Sequence, residues 1–328
     1  MTAATYILPI RSRGPVDTDL TEYLAGIAAD CELIVVDGSD ADVFAAAHRD
    51  WGRLGQHVRP DAAIAARNGK VRGVLTGIGL ASHERIVIAD DDVRYGRTEI
   101  QEVIRALDDA DLVRPQNYFS PLVWHARWDT ARTLINRAFG TDFPGTLAVR
   151  KSVMQRIGGY DGNVLFENLE LIRTFQAAHA RVVSPLDLYV RRLPPTGTHF
   201  WSQRIRQAYD ELARPWRFAL FLALLPAAAW GVRRRPRSLL LAVTTSVGIA
   251  EYGRRRAGGR RVFPASSVLL APVWLLERSV CSWLAACARL RGGCRYGDER
   301  IRDAATPRRA LRRRLASTTF SGRSAVHG

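Results

Sequence analysis

Three aspartates in a row, Asp90, Asp91 and Asp92, follow directly on the apolar run Arg85–Ala89. Adjacent carboxylates repel one another, and such a run after a buried strand is most readily explained by a divalent cation or polar ligand that shares their oxygens. In an extended segment Asp90 and Asp92 project to the same side and offer hard oxygen ligands suited to Mg²⁺ or Mn²⁺. A cation held there can bridge a diphosphate and neutralise charge on a leaving nucleotide. The plainer alternative is a solvated turn, which also favours Asp. A further carboxylate, Asp37, ends the run Ile34-Val35-Val36 and is followed by Gly38. There it can accept a hydrogen bond from a nucleobase while the glycine lets the backbone turn, or be no more than a strand-to-loop turn.

The elements that must carry these residues follow from the spacing of β-branched runs. Strands are expected at Thr5–Ile10, Glu32–Val36, Gln56–Arg59, Arg85–Ala89, Asp111–Arg114 and Thr146–Val149. Helices are expected at Asp17–Ala29, Ala41–Trp51, Asn68–Ser82, Thr98–Leu107, Trp128–Phe139 and from Glu167 to Ala178. Strands alternating with helices signify a parallel α/β sheet, whose ligand crevice lies beyond the carboxyl ends of the strands. Asp37 and the aspartate triplet both fall at that edge.

Past Pro194-Pro195 the character changes. Three charge-free runs, Phe218–Val232, Ser238–Ala250 and Val262–Leu276, are separated and followed by arginine clusters. Residues 1–215 hold 26 basic and 27 acidic side chains, whereas residues 216–328 hold 22 and 5, so the formal +16 of the chain belongs to its last third. This charge flanks apolar runs instead of interleaving with aromatics on a polar face, which points to anionic lipid and away from nucleic acid. The first two runs are short for a bilayer core, which takes about 20 helical residues, and a shallow hairpin keeps their arginine loops on the inner side. The third run is the best candidate to cross if Glu277 and Arg278 are paired or face another helix. Four cysteines without metal or disulfide spacing, and an N-terminus without signal-peptide pattern, are consistent with a reducing cytoplasm for residues 1–215.

Together the segments resemble the family 2 glycosyltransferases of GT-A fold, whose pattern is a proline-bearing first strand, a V-V-D-(D/G)-(S/G) second strand and a D-x-D after the fourth. The matching residues are Leu8-Pro9-Ile10, Val35-Val36-Asp37-Gly38-Ser39 and Asp90-Asp91-Asp92. Gly158–Phe175 is similar to the family's acceptor segment, and Gln203-Arg204-Ile205-Arg206-Gln207 to the Q-x-x-R-W motif of its membrane-attached branch. The resemblance covers about residues 5–215. It implies an α/β GT-A fold, with a Rossmann-like, mostly parallel sheet, followed by a C-terminal helical membrane-associated region. The implied organisation is a catalytic domain over 1–195, an interfacial helix and linker over 196–216, apolar membrane-associated helices over 217–290 and a basic, partly disordered tail over 291–328.

The resemblance further implies a nucleotide-sugar donor contacted by Pro9, Asp37, Lys70 and Asp90, and Mg²⁺ or Mn²⁺ on Asp90 and Asp92. Gln203, Arg206 and Trp201 would contact the diphosphate and the acceptor. The reaction implied is inverting transfer to a lipid or lipid-linked acceptor at the cytoplasmic face of the cell membrane. Two positions depart from the pattern. Asn168 stands where many members carry the general base, and an amide cannot accept the proton; Glu167 is the preferred substitute and Glu170, one helical turn on, the alternative. Gln207 stands where the motif ends in Trp. Asn168 keeps open a membrane scaffold with a decayed transferase domain, and a nucleotidyltransferase is a second alternative, although Arg11-Ser12-Arg13-Gly14 lacks the glycine-rich loop such enzymes usually have.

Overall fold

The computed structural model describes residues 3–15, 17–296 and 299–324. They form two compact units, one of Met1–Pro115, Gly145–Ser184 and Ala305–Gly328, the other of Gln116–Pro144 and Pro185–Ala304. The chain opens in the first unit with β1 (Ala4–Ile10), α1 (Thr18–Asp30), β2 (Glu32–Asp37), α2 (Ala41–Leu54) and β3 (Gln56–Val58). It continues with α3 (Gly69–Leu80), β4 (Arg85–Ala89), β5 (Val93–Arg94), α4 (Arg97–Ala106) and β6 (Leu112–Val113). β7 (Gln116–Phe119) and α5 (Trp124–Phe139) belong to the second unit, after which β8 (Thr146–Arg150), α6 (Lys151–Arg156), α7 (Glu167–Ala177) and β9 (Val182–Val183) return to the first.

The first unit is built on a seven-stranded sheet of order β3-β2-β1-β4-β8-β6-β9. Only β8 runs against its neighbours β4 and β6; the other pairs are parallel. All seven residues of β1 are buried, as expected for an inner strand covered on both faces. From β1 the chain steps outward to β2 and β3, then returns to place β4 on the other side of β1. The connections therefore diverge beyond the carboxyl ends of β1 and β4, which is where ligands bind in open α/β sheets. Asp37 ends β2 and Asp90 follows β4, so both stand at this edge.

Helix α3 lies unusually close to β1. A Cβ added at Gly77 would meet Ile7 Cγ2 at 2.6 Å, and one at Gly73 would meet Pro9 Cβ at 3.0 Å. The glycines along one face of α3 thus permit the approach, and Val71, Val74 and Ile78 pack beside them with Ile7, Ile34 and Ile88 in the main core. The buried Pro9 packs under α3, where the family resemblance implies a border of the nucleotide site.

In the second unit β7 pairs in parallel with β10 (Tyr189–Arg192), followed by α8 (Gly197–Tyr209), α9 (Pro215–Arg234), α10 (Pro236–Arg255) and α11 (Ala271–Leu290). β11 (Cys294–Tyr296) and β12 (Glu299–Ile301) form an antiparallel hairpin. The last helix, α12 (Arg308–Ser324), rejoins the first unit. Two stretches of described residues, Pro215–Arg234 and Ala265–Leu290, are long and apolar enough to cross a membrane by length and composition. The first charge-free run, Phe218–Val232, lies inside the 20-residue helix α9, in which Arg217 precedes it and Arg233 and Arg234 follow it. Helix α10, in contrast, packs along α5, so tightly that a Cβ at Gly253 would fall 1.9 Å from the Leu134 carbonyl oxygen.

Buried charge organises this unit. Arg137 is fully buried and donates to Gln116 Oε1 (3.1 Å), Leu186 O (3.0 Å), Tyr189 OH (2.8 Å) and Arg256 O (2.7 Å). Arg204 pairs with Asp129 at 2.8 Å and with Glu277 at 3.6 Å, while Arg278 is 1% exposed. Glu277 and Arg278 thus face inward from α11, where a buried ion needs partners in place of water.

Residues 116–144 fall in the second unit, where α5 buries Asp129, Leu134 and Arg137. Within the segment 196–216, α8 buries Phe200, Arg204, Ala208 and Tyr209. The tail over 291–328 contains a hairpin and α12, whose Leu311 is 2% exposed; its end at 325–328 lies outside the described residues.

The approach of α3 to β1 makes a two-sided prediction. Replacing Gly by Ala in a helix gains about 1 kcal/mol from propensity, whereas overpacking a core typically costs about 1–3 kcal/mol. Gly77→Ala should therefore lower the stability and Gly79→Ala, exposed with nothing within 4 Å of its Cβ, should raise it. Thermal denaturation of the two variants reads the signs directly, and a stabilised Gly77→Ala would contradict the packing described.

Candidate active site

The site grows from the start of α3. Asn68, 0% exposed, caps this helix by accepting from the Lys70 backbone N–H at 3.1 Å. Its own N–H donates to Gly162 O at 2.8 Å and its side-chain amide to Val164 O at 3.3 Å. One cap therefore ties the α3 N-terminus to the loop that leads into α7. Lys70, two residues on, reaches Glu167 Oε1 at 2.7 Å and also pairs with Asp90. A single ammonium so joins the helix α3, the end of β4 and the first residue of α7. Burial alone would lower the Lys70 pKa, but attraction to Asp90 and Glu167 outweighs it and raises the value.

The aspartate triplet does not form the extended segment expected. Asp90 O accepts from Val93 N–H at 3.1 Å, which makes Asp91 and Asp92 the corner of a tight turn between β4 and β5. Asp is favoured at such corners, so the alternation argument that put Asp90 and Asp92 on one side does not apply. Asp90 is further fixed by its N–H, which donates to Gly145 O at 3.0 Å, and Arg94 donates to Asp91 O at 2.7 Å. Asp91 is exposed and Asp92 half-buried.

Asp37 is 1% exposed, with Oδ2 3.2 Å from His57 Nε2 and Oδ1 accepting from Ser39 N–H at 2.8 Å. Burial pushes its carboxyl up, yet hydrogen bonds from His57 and Ser39 hold it below the ordinary value. Ser39 in turn accepts from Ser12 N–H at 2.8 Å, and Gly38 N–H donates to Ile10 O at 2.9 Å, which locks the loops after β1 and β2 together. The Phe44 ring stacks on His57 at 4.3 Å, and the Arg59 guanidinium lies 4.0 Å from the Phe44 centroid. Sequence reading missed His57 as the partner of Asp37, and Phe44 and His48 as the rings stacked on His57. They sit on α2 and β3, and no motif spacing marks them.

Lys70, Asp90 and Glu167 are thus brought together, with Asp37 at the same sheet edge. Glu170 is not part of this group. It is 0% exposed, and its Oε2 accepts from Thr306 N–H at 2.7 Å, while Arg173 donates to Thr306 O at 3.2 Å. The alternative base is therefore a clasp for the segment leading into α12. Gln203, Arg206 and Trp201 lie on α8 in the second unit. Gln203 is half-buried, Arg206 lies 4.9 Å from the Tyr296 ring centroid, and Trp201 is 52% exposed against Phe200 and Trp128. Gln207, at the motif's Trp position, accepts from Arg204 at 2.5 Å and from Arg132 at 3.4 Å, so the change from Trp supplies an acceptor for buried arginines.

Among the described residues no three His, Cys, Asp or Glu side chains converge into a ready-made cation cage. Asp90 and Asp92 nevertheless supply hard oxygens of the kind Mg²⁺ and Mn²⁺ accept, and these ions commonly take one or two carboxylates and complete their shell with phosphate oxygens and water. The residues present fit such an ion when it arrives with a diphosphate.

No family model matches the chain, and no curated protein matches it in sequence. Among solved structures it is similar to the mannosyltransferase PcManGT from Pyrobaculum calidifontis, in complex with GDP-Man and Mn²⁺. The identity is 20%, over 86% of this chain and 87% of that one, with a TM-score of 0.50. A second similar structure is glucosyl-3-phosphoglycerate synthase from Mycobacterium tuberculosis in complex with phosphoglyceric acid, at 18% identity, 60% and 74% coverage and a TM-score of 0.41. The chain thus has a GT-A-like α/β fold with a mixed sheet, followed by a C-terminal helical region, as the resemblance implied.

The burial of Glu170 predicts a pH dependence. Desolvation raises its pKa, and the hydrogen bonds from Thr306 only partly offset this. The folded chain then holds the proton more tightly than the unfolded one. The stability from this group is full below the ordinary glutamate value of about 4.3 and is lost as pH rises through the raised value. Glu170→Gln, which does not ionise, should flatten the decline in Tm between about pH 4 and neutrality; an unchanged slope would assign the decline to another group.

Proposed function

We propose that this chain is a membrane-attached, inverting glycosyltransferase that moves a sugar from a nucleotide-sugar donor to a lipid or lipid-linked acceptor at the cytoplasmic face. The observation that carries the reading is the junction of Lys70 with Asp90 and Glu167 at the carboxyl edge of a GT-A-like sheet. A donor's diphosphate is anionic, and Lys70 is a half-buried cation beside the residues that follow β4. We assign Asp37, held by His57 and Ser39, to the nucleobase, and Asp90 to the ribose. Asp92 is the residue we assign to Mg²⁺ or Mn²⁺. When bound, such an ion neutralises charge on the departing diphosphate.

Glu167 acts as the base. It takes the proton of the acceptor hydroxyl as that oxygen bonds to the anomeric carbon, on the face opposite the breaking bond to the diphosphate. Lys70 fixes the Glu167 carboxylate before the acceptor arrives, which is the positioning that general base catalysis requires. The membrane part of the reading is supported by two long apolar helices and by the cluster Arg233-Arg234-Arg235 with Arg237 between α9 and α10. Because α10 packs along α5, the α9–α10 pair is read as a shallow hairpin with its arginine loop cytoplasmic.

Release of nucleoside diphosphate from labelled nucleotide sugars, in membranes containing the full chain, tests this reading. Glu167→Gln should lower turnover by about 10²–10⁴ and leave donor binding intact, whereas Glu170→Gln should stay within a few-fold of wild type. A dead Glu170→Gln beside an active Glu167→Gln would refute the base assignment. Asp92→Ala should abolish transfer without unfolding, and near-normal turnover of that variant in EDTA would remove the metal from the account. For the topology, a cysteine placed at Arg235 in a chain lacking the exposed Cys287 should resist an impermeant thiol reagent in intact cells. Ready labelling from outside would place the loop across the membrane.

A further inference from the structure

The second unit contains a cleft of about 350 Å³ that none of the residues discussed above as donor, base or metal ligands lines. Tyr118, Phe119 and Leu122, from β7 and the loop after it, and Val262, Phe263 and Pro264 give it an apolar wall, and Ser120, Thr130, Arg260 and Arg261 add polar groups. Both arginines are exposed, and neither has a carboxylate partner among the described residues. Their neighbours differ: Arg254 and Arg255 both pair with Glu251, at 2.6 and 2.7 Å. Two unneutralised guanidiniums beside an apolar cleft match a ligand that is anionic at one end and hydrocarbon at the other.

The segment bearing these arginines is held in an uncommon conformation. Ala257 has φ 49° and Gly258 φ 72°, both left-handed. Such backbone persists where surrounding contacts over-determine it, and here Tyr189 OH donates to Ala257 O at 2.8 Å while the buried Arg137 donates to Arg256 O at 2.7 Å. Phe263, 3% exposed, packs edge-on against Tyr189 at 5.8 Å. The fold thus fixes the chain on both sides of Arg260 and Arg261 and leaves their heads in water.

We infer that this cleft binds a phosphate-headed lipid, the phosphate on Arg260 and Arg261 and the start of the hydrocarbon chain against Phe119, Leu122 and Val262. Its identification with the acceptor rests on the transferase reading. The retention of a lipid phosphate does not, because it is read by binding and not by sugar transfer.

The full chain in detergent, mixed with farnesyl phosphate, farnesol or phosphatidylglycerol, reports the retained lipid by native mass spectrometry. Wild type should retain farnesyl phosphate in preference to both other probes. Arg260→Ala/Arg261→Ala should weaken that retention by about tenfold or more, and Arg260→Lys/Arg261→Lys should restore part of it. Arg233→Ala/Arg234→Ala, which removes the same charge elsewhere in the unit, should leave it unchanged. Equal retention of farnesol, or equal loss in the Arg233/Arg234 variant, would reduce the effect to hydrophobic or general electrostatic attraction and overturn the site. Preferred retention of phosphatidylglycerol would assign the cleft to bilayer lipid and overturn the acceptor assignment. A Tm unchanged from wild type in the Arg260/Arg261 variants shows that lost retention is not lost folding.

Discussion

The placement of one ammonium group governs the candidate site. Asp90 and Glu167 come from elements far apart in the chain, and two carboxylates brought to one place repel unless a cation lies between them. Lys70 is that cation. It is one of only two lysines among 48 basic residues, and its compact head suits a point shared by two carboxylates better than the planar fork of arginine does. Its reach depends in turn on α3. The glycines at positions 73 and 77 bring that helix down onto β1, and the Asn68 cap fastens its first turn to the loop before α7. Sheet packing, helix capping and site electrostatics are therefore consecutive links of one chain of causes.

The second unit solves a different problem with similar means. Its helices bury charge, and every buried ion must find partners in place of water. Arg137 shares its donors among three backbone carbonyls and two side chains, and Arg204 is set between Asp129 and Gln207. These contacts specify how α5, α8 and α10 fit together. The outward surfaces of the apolar helices carry the opposite character: Trp216, Trp230, Leu240 and Leu241 are all more than half exposed. These exposed side chains are among the observations behind the proposed membrane attachment.

Much of this is legible in the chain. The β-branched runs place six strands to within a residue, since alternation of strand and helix is a local signal, and the carboxylates at the strand ends mark the candidate edge by residue type and position alone. The misses share a cause. The aspartate triplet is a turn because of a backbone hydrogen bond from Val93, which residue types alone do not distinguish from an extended end. Glu170 resembles a catalytic candidate because its partner, Thr306, lies 136 residues away. His57 escapes notice since its relation to Asp37 exists only once β2 and β3 pair side by side. The limits of the two units are hidden for the same reason: α5 is separated in sequence from the helices that bury it.

The central claim is that Lys70 joins donor handling to acceptor activation. Membranes with matched amounts of wild type and Lys70→Met, supplied with a panel of labelled nucleotide sugars, test it most directly by release of nucleoside diphosphate. The account predicts that wild type consumes at least one nucleotide sugar and that Lys70→Met, still folded, loses this turnover. Consumption of none of them by wild type, or undiminished turnover by Lys70→Met, would contradict it.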